Sequence, residues 1–130
     1  MKVVADSGPL IHLTEIKALW LLSFFELIYL PDAVWNETVR RGRVPSREIL
    51  KLGNIQNRVV SPDDVTTFLK RYRVRKLHLG ETECLCLCEQ LNIPLFLTDD
   101  LDARKEAQHL GLTPVGSLGI VARAYHMEVI

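Results

Sequence analysis

Val3-Val4-Ala5-Asp6-Ser7-Gly8-Pro9-Leu10-Ile11 opens the chain and sets its architecture. Val3 to Ala5 is a short apolar run of the kind that forms a buried strand. Ser7-Gly8-Pro9 reads as a helix start, with Ser7 as candidate N-cap and Pro9 in the first turn. Asp6 stands at the junction. A strand that feeds a helix through an acidic residue is the opening half of a β-α-β unit. In a parallel sheet, such a junction lies at the carboxyl edge, where ligands bind.

The rest of the chain repeats the alternation. Helical character is expected over residues 9–13 and about 16–24, where Leu19, Leu22 and Phe25 follow a three-to-four spacing. Leu27 to Leu30 reads as a second strand. Pro31-Asp32 starts a helix through about Arg41 that Gly42 ends. A short helix from Pro45-Ser46 closes near Gly53-Asn54, and an extended stretch follows over 55–60. Ser61 caps a helix with Pro62 as its first residue, running to about Tyr72. Beyond Gly80 come a helix from Glu81 to Leu91, a strand from Leu95 to Leu97, and a helix capped by Asp99 or Asp100 and stopped by Gly111. A strand at about 113–115 and a helix from Ser117 to about His126 complete the chain. Strands alternating with helices, with no repeat or linker, predict one α/β domain over 1–130: three layers, with a parallel sheet of about five strands between helices.

Composition sets the class. The chain has 130 residues, 48% apolar and 25% charged, as soluble globular proteins do. No apolar run approaches the roughly 20 residues of a membrane span. The apolar start is broken at once by Asp6, unlike a signal peptide. A cytoplasmic protein is the expectation. Cys84, Cys86 and Cys88 lack a second Cys/His group spaced to complete a zinc site, so buried reduced thiols are expected. The formal net charge is zero, yet residues 40–76 carry 11 of the 16 basic residues and only three acids. That segregation predicts a basic surface for a polyanion beside an acidic site for metal, although an Arg-rich pair of solvated helices would look the same.

Four acidic positions fall near the same expected sheet edge: Asp6, Glu37, Glu81 and Asp99-Asp100. Each has an ordinary structural role open to it. Asp6 and Asp99-Asp100 can cap helices, Glu81 favours a helix dipole, and Glu37 can be a solvated helix residue. Together, acids gathered at one edge repel one another unless cations neutralise them, which points to metal-dependent phosphodiester chemistry. His12, His78, His109 and His126 are scattered, so a metal-free histidine mechanism is disfavoured.

The segments Val-Ala-Asp6-Ser-Gly-Pro-Leu-Ile, Leu-Pro31-Asp-Ala-Val-Trp-Asn-Glu37, Leu-Gly-Glu81-Thr-Glu and Leu-Thr98-Asp-Asp100 resemble the PIN-domain family, in that order. They are most similar to its Asp-Ser-Gly-Pro-Leu-Ile branch, as is the tail Gly116-Ser-Leu-Gly119-Ile. The resemblance spans essentially the whole chain. It implies a five-stranded parallel sheet, an acidic site binding Mg²⁺ or Mn²⁺, and endonucleolytic cleavage of RNA. Its small members include the toxin ribonucleases of VapC-type toxin-antitoxin pairs, which implies a homodimer and an antitoxin protein as partners. Carried over by position, Asp6, Glu37, Glu81 and Asp100 are the catalytic acids; Asp6, Asp100 and Glu81 hold metal, with Asp99 sharing the ligand role. The third acid is Glu81 where Asp is commoner, and Glu83 is expected to point elsewhere. Phosphate contacts are expected from Arg40, Arg41, Arg43, Arg73, Arg75 and Lys76, with Tyr72 either stacking a base or packing under its own helix. The competing reading is a catalytically silent PIN-like module that binds RNA or protein. A haloacid-dehalogenase-type phosphatase would want Asp where the chain has Gly8.

Overall fold

A computed structural model describes residues 1–74 and 77–128. The chain begins at the centre of its sheet. Strand β1 (Lys2–Ala5) pairs in parallel with β2 (Leu27–Pro31) on one side and β4 (Leu95–Leu97) on the other. The outer strands are β3 (Ile55–Arg58) beside β2 and β5 (Thr113–Val115) beside β4, also parallel. The order is therefore β3-β2-β1-β4-β5. Val3, Val4 and Ala5 are all fully buried, so both faces of the central strand are covered, which is why this run is apolar without alternation.

The layer around α5 (Leu79–Leu91) shows how the core is built. Residues 80–88 of this helix are buried without a break, and it packs against β1, β2 and β4 while α2 (Asp32–Trp35) and α4 (Pro62–Tyr72) pack against it. A helix enclosed all round must be apolar or small all round, and Cys84-Leu85-Cys86-Leu87-Cys88 meets that requirement. The Cys84 thiol donates to Ala5 O (3.5 Å) and the Cys86 thiol to Asp64 O (3.8 Å), so the two point to the sheet and to α4 respectively. Burial pushes Cys86 up to about 11 and Cys88 up to about 12, and Cys84 well above the ordinary thiol range. All three are free thiols, as expected, and chemically quiet.

In the other helical layer α1 (Ser7–Glu15) packs with α7 (Ser117–His126) and with a 3₁₀ stretch, Leu19–Phe24. The sequence reading differs here. The first helix starts two residues earlier than 9, and the second is a 3₁₀ segment that starts at Leu19. Lys17 at φ +58 breaks the path, and Leu19, Leu21 and Leu22 turn inward at a tighter spacing than an α-helix gives. α2 runs straight into a π-helical stretch, Asn36–Arg40, which ends before Gly42 at φ +75. The remaining helices are α3 (Ser46–Leu52) and α6 (Leu101–His109).

Asn54 ties the 3₁₀ stretch to the sheet: its Nδ2 donates to Leu22 O (2.9 Å) and Phe25 O (3.0 Å). Asn54→Ala removes both bonds, leaving Leu22 O only its acceptance from Phe25 N (3.2 Å), and should cost about 1–3 kcal/mol, read as a lower urea midpoint with unchanged slope.

Candidate functional site

The strand order reverses between β1 and β4, and their carboxyl ends border the crevice where open parallel sheets take ligands. Asp6 follows β1, and Thr98-Asp99-Asp100 follow β4. Asp6 is buried, and its carboxylate accepts from Ser7 N at 2.8 Å and from Thr98 Oγ1 at 3.1 Å. Asp6 is thus the N-cap of α1, the role the sequence reading gave to Ser7. The extended backbone at Asp6 aims its carboxylate at the helix start, and a carboxylate outcompetes a hydroxyl as acceptor. Ser7 is released for another contact: its hydroxyl donates to Glu37 Oε2 at 2.9 Å and lies 3.5 Å from Asp6 Oδ1.

Glu81 lies in the first turn of α5, whose N-cap is His78. Its side chain is buried, and its Oε2 has no hydrogen-bond partner among the described residues. Gly80 explains how so much charge fits: a Cβ there would sit 3.2 Å from Glu37 Oε1 and 3.8 Å from Asp6 Oδ1. Asp100 caps α6 through Ala103 N (2.8 Å). Asp6, Glu37, Glu81 and Asp100 line a single open cleft of about 480 Å³, joined by Asp99 and His12. His78 also borders it.

The electrostatics follow the geometry. Burial raises the Asp6 carboxyl above its ordinary range, and the negative charges of Glu37 and Asp100 raise it further, against the lowering by Ser7 and Thr98. Burial likewise raises Glu81, followed by the charges of Asp6 and Asp100. These couplings identify Asp6, Glu37, Glu81 and Asp100 as one interacting set. Among the described residues no three His, Cys, Asp or Glu side chains already stand in a closed ligand arrangement. The donor set nevertheless fits a hard divalent cation: every donor is a carboxylate oxygen, and one buried oxygen, Glu81 Oε2, has no partner among the described residues.

Asp99 and Asp100 part company. Asp99 Oδ1 accepts from Ser117 N (2.7 Å), and its Oδ2 accepts from Ser117 Oγ (2.9 Å) and pairs with His12 Nδ1 (2.7 Å). Asp99 therefore borders the cleft while bound to α7 and α1. Glu83 points away, accepting from Ala33 N at the start of α2 (3.0 Å). Arg40, Arg41 and Arg43 are exposed just beyond Glu37, and Arg73 is exposed at the end of α4. Arg75 and Lys76 lie outside the described residues. Tyr72 packs on Phe68 and its hydroxyl reaches Glu89 (3.4 Å), which favours the packing role. The residue that sequence reasoning passed over is His12. Its signal was the four-residue spacing from Gly8, which puts both on the α1 face turned to Asp99.

A parallel sheet with an acidic cleft at its switch point defines a class of ligand-binding α/β protein. The family model for DUF3368, a PIN domain, matches residues 2–130, and the chain belongs to the PIN-domain family. PIN domains are generally nucleases and usually use Mg²⁺ or Mn²⁺. The fold is similar to that of SSO1118, a PilT N-terminus domain protein of the hyperthermophilic archaeon Sulfolobus solfataricus P2 (18% identity, 95% of this chain and 93% of that one, TM-score 0.70). It is also similar to PAE2754 from Pyrobaculum aerophilum (17% identity, 97% and 99% covered, TM-score 0.61). No curated protein sequence matches. No helix among the described residues is long and apolar enough to cross a membrane.

Because Asp6 and Glu81 are both raised in the folded state, the native chain holds protons that the unfolded chain releases. Without divalent ions, stability should therefore rise as pH falls from neutral toward the ordinary carboxylate range, and fall as pH climbs back through the raised values. Asp6→Asn removes the central charge while keeping an acceptor for Ser7 N. At pH 7.5 in chelator it should be more stable than wild type by on the order of 1 kcal/mol, with a flatter pH dependence in urea titrations.

Proposed function

We propose that this chain is one PIN-type nuclease domain over residues 1–130, a Mg²⁺- or Mn²⁺-dependent endoribonuclease that hydrolyses RNA phosphodiesters. The observation that carries the reading is the single cleft shared by Asp6, Glu37, Glu81 and Asp100, in which the charges of neighbouring acids help to raise Asp6 and Glu81. Asp6 and Asp100 are the direct cation ligands, each fixed by backbone donors at a helix start. When bound, the cation supplies Lewis acidity at the scissile phosphate. Glu37 is held by the Ser7 hydroxyl as an outer ligand. Glu81 Oε2, buried and unpartnered among the described residues, is the oxygen that takes the proton of the attacking water.

Arg40, Arg41 and Arg43 cluster at the end of the π-helical stretch, on the same segment as Glu37. Their charges hold the phosphate backbone beside the acidic cleft, with Arg73 extending the basic surface. The reading extends to a toxin of the VapC type: a cytoplasmic homodimer restrained by an antitoxin protein. Exposed Trp20, Leu118 and Tyr125 offer apolar area that such partners would cover.

The purified protein should cut single-stranded RNA in Mn²⁺ or Mg²⁺, and Asp6→Asn or Asp100→Asn should lower the rate by about 100-fold or more with the circular dichroism spectrum intact. Undiminished cutting in excess chelator sinks the metal-dependent mechanism. Retained RNA binding with no cleavage by wild type in either metal supports a silent binding module instead. Replacing Arg40, Arg41 and Arg43 with Ala should weaken RNA binding and shallow its salt dependence by roughly 0.7 per lost phosphate contact on a log-log plot.

A further inference from the structure

Asp99, beside the acidic set, makes three contacts to groups outside it. Ser117 N and Ser117 Oγ hold its carboxylate, and His12 Nδ1 lies 2.7 Å from its Oδ2. The fit allows no side chain at Gly116, where a Cβ would approach Asp99 Oδ1 to 2.7 Å. The charges that raise Asp6 and Glu81 include Asp100 in both cases and Asp99 in neither. Asp99 is a strut that joins α7 to α1.

What the strut presents to the cleft is His12. A carboxylate only accepts, so the ring carries its proton on Nδ1 in the neutral tautomer, and Nε2 is left as an acceptor on the opposite edge. The His12 side chain is 55% exposed and lines the same cleft as the four acids. An oriented acceptor suits a hydroxyl donor. On a polynucleotide backbone, the hydroxyl that can donate is the ribose 2′-OH. We infer that His12, oriented by Asp99 and Ser117, accepts the ribose 2′-hydroxyl of a nucleotide bound in the cleft and so makes the site prefer RNA over DNA. This rests on the reading of the cleft as a nucleic-acid site, but not on cleavage taking place there.

Binding is measured with cleavage silenced. In an Asp6→Asn background, fluorescence anisotropy gives the Kd of a fluorescein-labelled single-stranded RNA and of the DNA of the same sequence. RNA should bind about five- to ten-fold more tightly, the worth of one hydrogen bond. Adding His12→Asn preserves a donor toward Asp99 and removes the atom at Nε2; the ratio should fall to near 1. Adding His12→Gln, which can carry an oxygen to the Nε2 position, should keep most of it. Unchanged unfolding midpoints confirm that each variant folds. A wild-type kcat/KM that is insensitive to every single 2′-deoxy substitution in the RNA, or an RNA preference that survives His12→Asn, overturns the inference. Equal losses for RNA and DNA also overturn it, since they assign His12 to phosphate. A protein that prefers RNA through His12 yet never cuts in Mn²⁺ supports the contact while removing the nuclease.

Discussion

Mutual repulsion among carboxylates is the constraint around which this molecule is organised. Asp6 is buried at the end of the central strand, where burial and the charges of Glu37 and Asp100 raise its affinity for a proton, and Asp6 and Asp100 in turn raise the buried Glu81. A fold tolerates that only if other interactions hold each acid in place. Ser7 N and Thr98 Oγ1 anchor Asp6, the Ser7 hydroxyl restrains Glu37, Ala103 N fixes Asp100, and α5 carries Glu81 inside the core. The same backbone amides that begin the helices serve as counter-dipoles for the cleft, so helix initiation and charge placement are one arrangement.

The strand order explains why the acids converge. β1 sits between β2 and β4, and the chain crosses from one half of the sheet to the other only after β3. Residues 6 and 100 are far apart in sequence, yet their strands are hydrogen-bonded neighbours, with Asp6 N donating to Leu97 O at 2.8 Å. Thr98 closes the junction: its hydroxyl donates to Asp6 and accepts from Asp100 N at 3.2 Å.

Much of this could be read from the residues, because β1, β2 and β4 are short apolar runs and α1, α4 and α6 begin with side-chain caps at Asp6, Ser61 and Asp100. The five strands, the parallel layering and the end of the helical segment before Gly42 follow from local signals. Three features did not. Ser7 looks as good a cap as Asp6 until the extended backbone at residue 6 decides between them. The tightening at Leu19–Phe24 is invisible to a spacing argument, since apolar residues at 19, 21 and 22 satisfy more than one helical period. His12 reads as a scattered histidine because its partner, Asp99, itself held by Ser117, lies more than 80 residues away. Long-range pairing decides a side chain's role, and spacing along one element cannot supply it.

The unbroken burial of residues 80–88 sets the acidic cleft and the basic segment on different evolutionary footings. Glu81 cannot drift without dislodging a helix that touches three strands, whereas Arg40, Arg41 and Arg43 can be exchanged with little disturbance to the interior. Variation among descendants of this chain should thus accumulate at the arginine segment, changing the surface charge beside the cleft while the cleft itself stays the same.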